Sequence, residues 1–298
     1  MERAAPGGAA VTASGGAGYW EDPGSHAWDE LWMNHALVRE RINRRVTGDP
    51  ALWPIRWLAR VVPERVPFAR ALNVGCGLGH LERSLVEHGL VAHVTGIDTS
   101  APAVEAARRS AEAAGLGASA SFVVAEAWEF LRENEAFDAV FFHASLHHFD
   151  RLPELLGLVR RALRPRGVLY LDEYVGPARG EWTWRHLLRW NAIYRRLPGA
   201  VRRTRVIRRP INREDPTEAI ESSGILPAVA GHFRVLARCD YGGNLLAPIY
   251  PSLLRPDQPG GPPPVLFDRV VAALLDREEG MLARGAPTFQ AVVVAEPR

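Results

Sequence analysis

With 298 residues, 47% of them apolar and 23% charged, the chain has the composition of a globular protein and length for one large domain or two small ones. It contains no lysine, so all 36 basic residues are arginine, which excludes Schiff-base chemistry, pyridoxal-phosphate attachment and a phosphate-binding loop that relies on lysine. Two cysteines, Cys76 and Cys239, cannot build a disulfide framework or a four-cysteine zinc site, which suits a reducing cytoplasm. No apolar run approaches the roughly 18 residues of a membrane helix.

Residues 1–18 are rich in Ala and Gly and bury too little apolar surface to offset ordering entropy, so a disordered tail is expected. They lack the compact apolar stretch of a signal peptide. From Trp28 to Val46 apolar residues recur at three-, four- and seven-residue spacings, which predicts an amphipathic helix, and a shorter helix is expected over 51–62. These form a helical cap, 19–69, at the start of a single domain spanning 19–298.

ALNV (71–74) is a short strand, followed by a glycine-rich turn and a helix that Gly89 closes. HVTGID (93–98) is a second strand, and Ser100, Pro102 and Gly115 start and stop the helix behind it. SFVVAEA (121–127), FDAVFFHA (137–144) and VLYLDEYV (168–175) are strands three to five, the last two separated by a helix over 152–163. Such alternation predicts right-handed βαβ units and a parallel sheet covered on both faces. An Arg- and Trp-rich insertion (176–230), a strand (233–241), a Pro-rich loop (251–264), a helix (265–284) and a last strand (289–296) complete the chain. The predicted class is α/β: a Rossmann-like, seven-stranded, mostly parallel sheet with a helical insertion after strand five.

Ligands of open parallel sheets bind outside the carboxyl ends of the strands. Gly75, Gly77 and Gly79 follow strand one, Asp98 strand two, Glu126 strand three, His143 to His148 strand four, and Asp172 to Tyr174 strand five. The glycines read G-x-G-x-G, not the dinucleotide G-x-G-x-x-G, because position 80 is His. They still admit a close ligand to the backbone and to the N–H groups of the next helix. Asp98, nineteen residues beyond the last glycine, can accept hydrogen bonds from a ribose diol.

LNVGCGLG, VTGIDTS, VVAEA, FDAVFFHASLHHF and LRPRGVLYLDEY resemble, in order and spacing, the successive motifs of bacterial small-molecule class I S-adenosylmethionine-dependent methyltransferases. The resemblance covers about 70–175 and extends to a chain end with two strands, one antiparallel. It implies S-adenosyl-L-methionine as cofactor and S-adenosyl-L-homocysteine as product. It places Gly75, Gly77 and Gly79 beside the methionine part, Asp98 on the ribose, Thr99 near the adenine, Glu126 and Ala127 on the adenine amino edge, and His143 close by. Asn73 stands where the family has Asp or Glu, which removes a charge that would favour the cofactor's ammonium.

His147 and His148, which have the right pKa for a general base, and Glu173 at the end of strand five are the catalytic candidates. Strand alternation sends Glu173 and Tyr174 to opposite faces. No compact spacing such as H-E-x-x-H occurs, so no metal is predicted. Ten arginines lie between Arg185 and Arg213, interleaved with Trp190 and Tyr194 and preceded by Trp182 and Trp184, a pattern suited to an anionic or carrier-bound substrate or an acidic protein partner. No RNA-binding module is visible, so nucleic acid is not expected as a partner. These features predict methyl transfer to a small molecule of bacterial secondary (natural-product) or sugar metabolism, oxygen ahead of nitrogen as acceptor, in the cytoplasm. The alternatives are a cyclisation or elimination on the same cofactor-binding fold, or a non-catalytic subunit serving a partner.

Overall fold

The structure is a computed structural model that describes residues 31–298. The expected tail and the start of the helix predicted from Trp28 lie outside these residues. Within them, α1 (Ala36–Thr47) and α2 (Leu58–Val61) precede β1 (Phe68–Val74), α3 (His80–Glu87), β2 (Val91–Asp98), α4 (Ala101–Ala113), β3 (Ala120–Val124) and α5 (Ala127–Glu133). Then come β4 (Phe137–His143), α6 (Leu152–Ala162), β5 (Leu163–Tyr174), α7 (Trp184–Tyr194), α8 (Ile225–His232), β6 (Phe233–Gly242), α9 (Leu246–Ile249), α10 (Pro264–Ala283) and β7 (Gln290–Pro297).

The strands form one sheet of order β3-β2-β1-β4-β5-β7-β6. β7 runs antiparallel to both of its neighbours and the β1–β5 pairings are parallel, so the predicted class holds. Reversal of strand order between β1 and β4 opens the crevice where such sheets bind ligands.

Alternation along the strands sorts the core into two layers. Ala71, Phe141, Val168 and Tyr170 face α3, α4, α1 and α10, whereas Leu72, Val74, Val140, Leu169 and Leu171 face α5, α6 and α8. Each such buried aliphatic or aromatic side chain contributes roughly 1.5–3 kcal/mol. Ser100 caps α4 as its sequence predicts, its Oγ accepting the Ala103 N–H at 3.2 Å.

Three expectations change. β3 ends at Val124, and Glu126 instead caps α5, its Oε2 accepting the Trp128 N–H at 2.9 Å. Of the helix expected from Trp28, the described part is a 3-10 turn over Trp32–Asn34 and an α-helix from Ala36, separated by His35 with its extended backbone dihedrals. In the insertion, Trp182, Trp190 and Tyr194 are core anchors: Trp190 Nε1–H donates to the Asn244 carbonyl at 3.0 Å and the Tyr194 hydroxyl to that of Ser252 at 2.7 Å. The aromatics interleaved with the arginines are thus mostly inside; Trp184, 62% exposed, is the exception. No helix among the described residues is long and apolar enough to cross a membrane.

Candidate functional site

The glycine turn joins β1 to α3 at the sheet edge that the motif reading predicted. Gly77 has φ +50° with open space where a Cβ would stand, and its N–H donates to Asp98 Oδ2 at 2.9 Å. The other carboxylate oxygen accepts the Ser100 N–H, also at 2.9 Å. Asp98 is therefore pinned between the glycine turn and the start of α4, half-buried, with lone pairs to spare for a diol. An S-adenosyl group fits this donor set: a carboxylate for the ribose hydroxyls beside a turn whose glycine leaves open space for a ligand.

Other sequence candidates fall on both sides of that line. Thr99 and His143 are exposed at the same edge, and His143 Nε2 lies 3.8 Å from Asp172 Oδ2. Glu126 is half-buried there, although one oxygen is committed to capping α5, and Ala127 is buried as the first residue of that helix. Gly75 packs on the segment after β4: a Cβ on it would stand 2.6 Å from that of Ser145. Gly79 is the residue before α3. Asn73 points away from the crevice, 2% exposed, and donates its Nδ2–H to Glu82 Oε1 at 2.7 Å. Burial pushes the Cys76 thiol up, so it stays protonated.

The catalytic candidates are held together by the segment after β4. Ser145 Oγ–H donates to the Val74 carbonyl at 2.6 Å, tying that segment to the end of β1. Glu173, fully buried, accepts the Ser145 and Leu146 N–H groups on Oε1, both at 2.7 Å, and faces His147 Nδ1 at 2.8 Å with Oε2. Burial opposes its charge, but the His147 ring and the two N–H groups outweigh this and hold its carboxyl below the usual range. With both oxygens committed and no exposure, Glu173 cannot touch a substrate; it orients His147.

Two acids from the insertion complete the cluster. Glu218 Oε2 stands 3.8 Å from His147 Nε2 and 3.9 Å from His148 Nε2. Asp215, also fully buried, accepts the Thr217 hydroxyl at 2.5 Å, and His148 Nδ1 lies 3.1 Å from that hydroxyl oxygen. Burial works against a charged His147, yet Glu218, Glu173 and Asp215 raise it to about 9. The neighbouring ring, its centroid 4.2 Å away, then cannot charge as well, so burial and His147 lower His148 to about 4. Spacing missed Asp215 and Glu218 because some seventy residues separate them from the histidines.

Beside the cluster lies a cavity of about 130 Å³ lined by Tyr174, Arg179, Trp182, Ile211, Glu218 and Phe289. The Tyr174 ring meets that of His147 edge-on at 6.2 Å. Alternation thus holds at the end of β5: Glu173 turns to the histidines and Tyr174 to the cavity. Its walls are mainly apolar and aromatic, with a guanidinium and a carboxylate to orient a ligand.

A family model described as a methyltransferase domain matches residues 71–167. Demethylmenaquinone methyltransferase from Thermus thermophilus is 35% identical over 129 residues, 42% of this chain and 57% of that protein. An O-methyltransferase from Pyrenophora dematioidea is 29% identical over 158 residues, 53% of this chain and 52% of its own length. The chain spans about half the length of the curated relatives it matches. The solved structure of geranyl diphosphate methyltransferase in complex with S-adenosylmethionine has a TM-score of 0.51 at 15% identity, over 82% of this chain and 84% of that one, a likeness of fold.

Proposed function

We propose that this chain, whose residues 71–167 match a methyltransferase-domain model, is a class I S-adenosylmethionine-dependent methyltransferase that acts on a small molecule, at oxygen in preference to nitrogen. The observation that carries the reading is the contact between the two halves of the site. The glycine turn and Asp98 lie on one side, and Ser145, bonded to Val74, brings the His147–Glu173 pair to the other.

When bound, S-adenosylmethionine supplies an electrophilic methyl group whose C–S bonding pair returns to sulfur as the acceptor's lone pair forms the new bond. The chain's own contribution is positioning and proton handling. Asp98 accepts the ribose hydroxyls, and the glycine turn lets the ligand lie against the backbone. Tyr174, Trp182 and Phe289 surround the acceptor and exclude water. An acceptor hydroxyl must lose a proton to become a good nucleophile, whereas a neutral amine need not lose one first. A buried histidine–carboxylate pair beside the cavity is therefore support for oxygen. The O-methyltransferase relative supports the same choice.

A cavity of about 130 Å³ suits one ring or a short chain, not a macromolecule. Exposed Arg203, Arg205, Arg208 and Arg209 would draw in an acidic acceptor or an acidic carrier presenting it. A cytoplasmic role in bacterial small-molecule metabolism is part of this reading.

The test is transfer of labelled methyl from S-adenosylmethionine to a panel of small hydroxyl and amino compounds, with S-adenosylhomocysteine measured alongside. The reading expects label and S-adenosylhomocysteine in equal amounts and hydroxyl acceptors favoured. A converted acceptor with the cofactor intact would overturn it in favour of a cyclisation or elimination.

A further inference from the structure

The geometry points to a divalent-cation site at His147, His148 and Glu218, with two imidazole Nε2 atoms and one carboxylate oxygen gathered on one side of the ion. The three side chains offer ligand atoms that all lie within 4.8 Å of one another. Donors bonded to one ion at about 2.1 Å stand roughly 3–3.5 Å apart, so the gaps of 3.8 and 3.9 Å to Glu218 need to close by only a few tenths of an ångström.

Hydrogen bonding behind the rings fixes which nitrogen is offered. Glu173 Oε2 faces His147 Nδ1 at 2.8 Å, so Nδ1 keeps the hydrogen of that bond, and Nε2, turned toward Glu218, is the nitrogen whose proton leaves to water when an ion binds. The Thr217 hydroxyl has one hydrogen and gives it to Asp215 at 2.5 Å, so its oxygen accepts from His148 Nδ1 at 3.1 Å, and Nε2 is the nitrogen turned toward Glu218. Both rings thus have the backing that metal-bound histidines have, a carboxylate or a carboxylate-bound hydroxyl on the far nitrogen.

Charge supplies a second, independent observation. Asp215 is fully buried and its Oδ2 has no hydrogen-bond partner, although it lies 3.4 Å from His148 Nδ1. Glu173, Asp215 and Glu218 together surround two imidazoles. Arg179, whose Nη1–H donates to the Asp215 carbonyl at 2.7 Å, and the proton that His147 holds set two positive charges against three carboxylates and leave one negative charge in surplus. A cation between the rings and Glu218 would balance that surplus. Two nitrogens and one carboxylate favour a first-row transition ion, of the Zn²⁺, Fe²⁺ or Mn²⁺ kind, over Mg²⁺ or Ca²⁺. Glu218 also lines the acceptor cavity. An ion held there would draw electron density from an acceptor hydroxyl, whose proton leaves to water while the lone pair takes the methyl. What the ion does rests on the methyl-transfer reading; that it binds does not.

The experiment uses the full chain without an affinity tag, stripped with a chelator, then titrated with Zn²⁺ against a chromophoric chelator and with Co²⁺ by visible absorption. One ion per chain is expected, with the absorption bands of protein-bound Co²⁺. Glu218→Gln and His148→Gln should each weaken binding more than tenfold, Glu218→Asp should keep most of it, and Asp215→Asn should cost about 10–100-fold through the ring it supports. Circular dichroism and an S-adenosylhomocysteine titration on the same samples report folding. Stoichiometry far below one, or binding that survives both glutamine variants, would overturn the cation site. S-adenosylhomocysteine binding without cation binding sinks this inference and leaves the methyltransferase reading standing; cation binding without S-adenosylhomocysteine binding does the reverse.

Discussion

Asn73 and Glu82 meet across 2.7 Å in a place neither shares with water: Asn73 is 2% exposed and Glu82 not at all. The pair joins β1 to α3 directly behind the glycine turn, and Gly96 on β2 leaves room for the carboxylate. Asn73 Oδ1 and Glu82 Oε2 have no hydrogen-bond partner. The acid missing from the end of β1 is thus present on the neighbouring helix, turned inward.

Burial raises Glu82 to about 7, the Asn73 hydrogen bond offsetting only part of the cost. A carboxyl raised in the folded state contributes stability that is complete below its unfolded value near 4.5 and lost as pH climbs through about 7. At 1.36 kcal/mol per pKa unit the loss is roughly 3 kcal/mol. Unfolding by urea between pH 5 and 8 should therefore show wild type losing stability relative to Glu82→Gln, with the gap nearly complete at pH 8. Parallel curves would mean that Glu82 is ionised throughout.

Asp98 should carry a measurable share of cofactor affinity. Removing a carboxylate that accepts from a diol costs about 1.5–3 kcal/mol, or roughly 10–150-fold in Kd. Calorimetric titration of Asp98→Ala with S-adenosylhomocysteine checks this, with Asp98→Asn as a variant that keeps the side chain's shape and can still accept from one of the Gly77 and Ser100 N–H groups. Unaltered affinity in both would place the ribose elsewhere.

Glu173→Gln tests the orientation of His147 without changing the shape of the site. The amide oxygen can take over the two backbone N–H groups, which turns the amide NH₂ toward His147 Nδ1, so that this nitrogen must give up its hydrogen and the ring keeps one only on Nε2. Turnover should fall by about 10²–10⁴-fold, while the KM for S-adenosylmethionine changes little. Normal kcat would show that the ring's tautomer is irrelevant to the reaction.

The exposed arginines make a kinetic prediction. Exposed charges are screened within about 8–10 Å at ordinary ionic strength, so steering by the insertion should weaken with salt. Charge reversal at Arg205, Arg208 and Arg209 should lower kcat/KM for the acceptor and flatten its salt dependence, with kcat preserved. Equal salt dependence in wild type and variant would leave these side chains as a solvated surface.

Much of this was legible along the chain, for physical reasons that particular residues show. β1 to β5 announce themselves because each buried strand is a short apolar run closed by a polar or glycine residue, as at Gly75, Asp98 and His143. Ser100 announces α4 because a cap is a local device. Glu126 misleads for the same reason: a cap to α5 and the last residue of a strand look alike in one dimension. Tertiary pairing leaves no such mark. Nothing near His147 in sequence points to Glu218 or Asp215, and nothing near Asn73 shows that Glu82 turns inward. The tryptophans of the insertion read as part of a surface for an anionic substrate or acidic partner until their neighbours are known.

A crystal structure of the full chain with S-adenosylhomocysteine tests the central claim most directly. The account predicts the ribose hydroxyls within about 2.6–3.0 Å of the Asp98 carboxylate, the methionine part against Gly75 and Gly77, and the sulfur turned toward His147 and the cavity of Tyr174 and Phe289. Density for the ligand away from Asp98, or a sulfur facing away from His147, would contradict it.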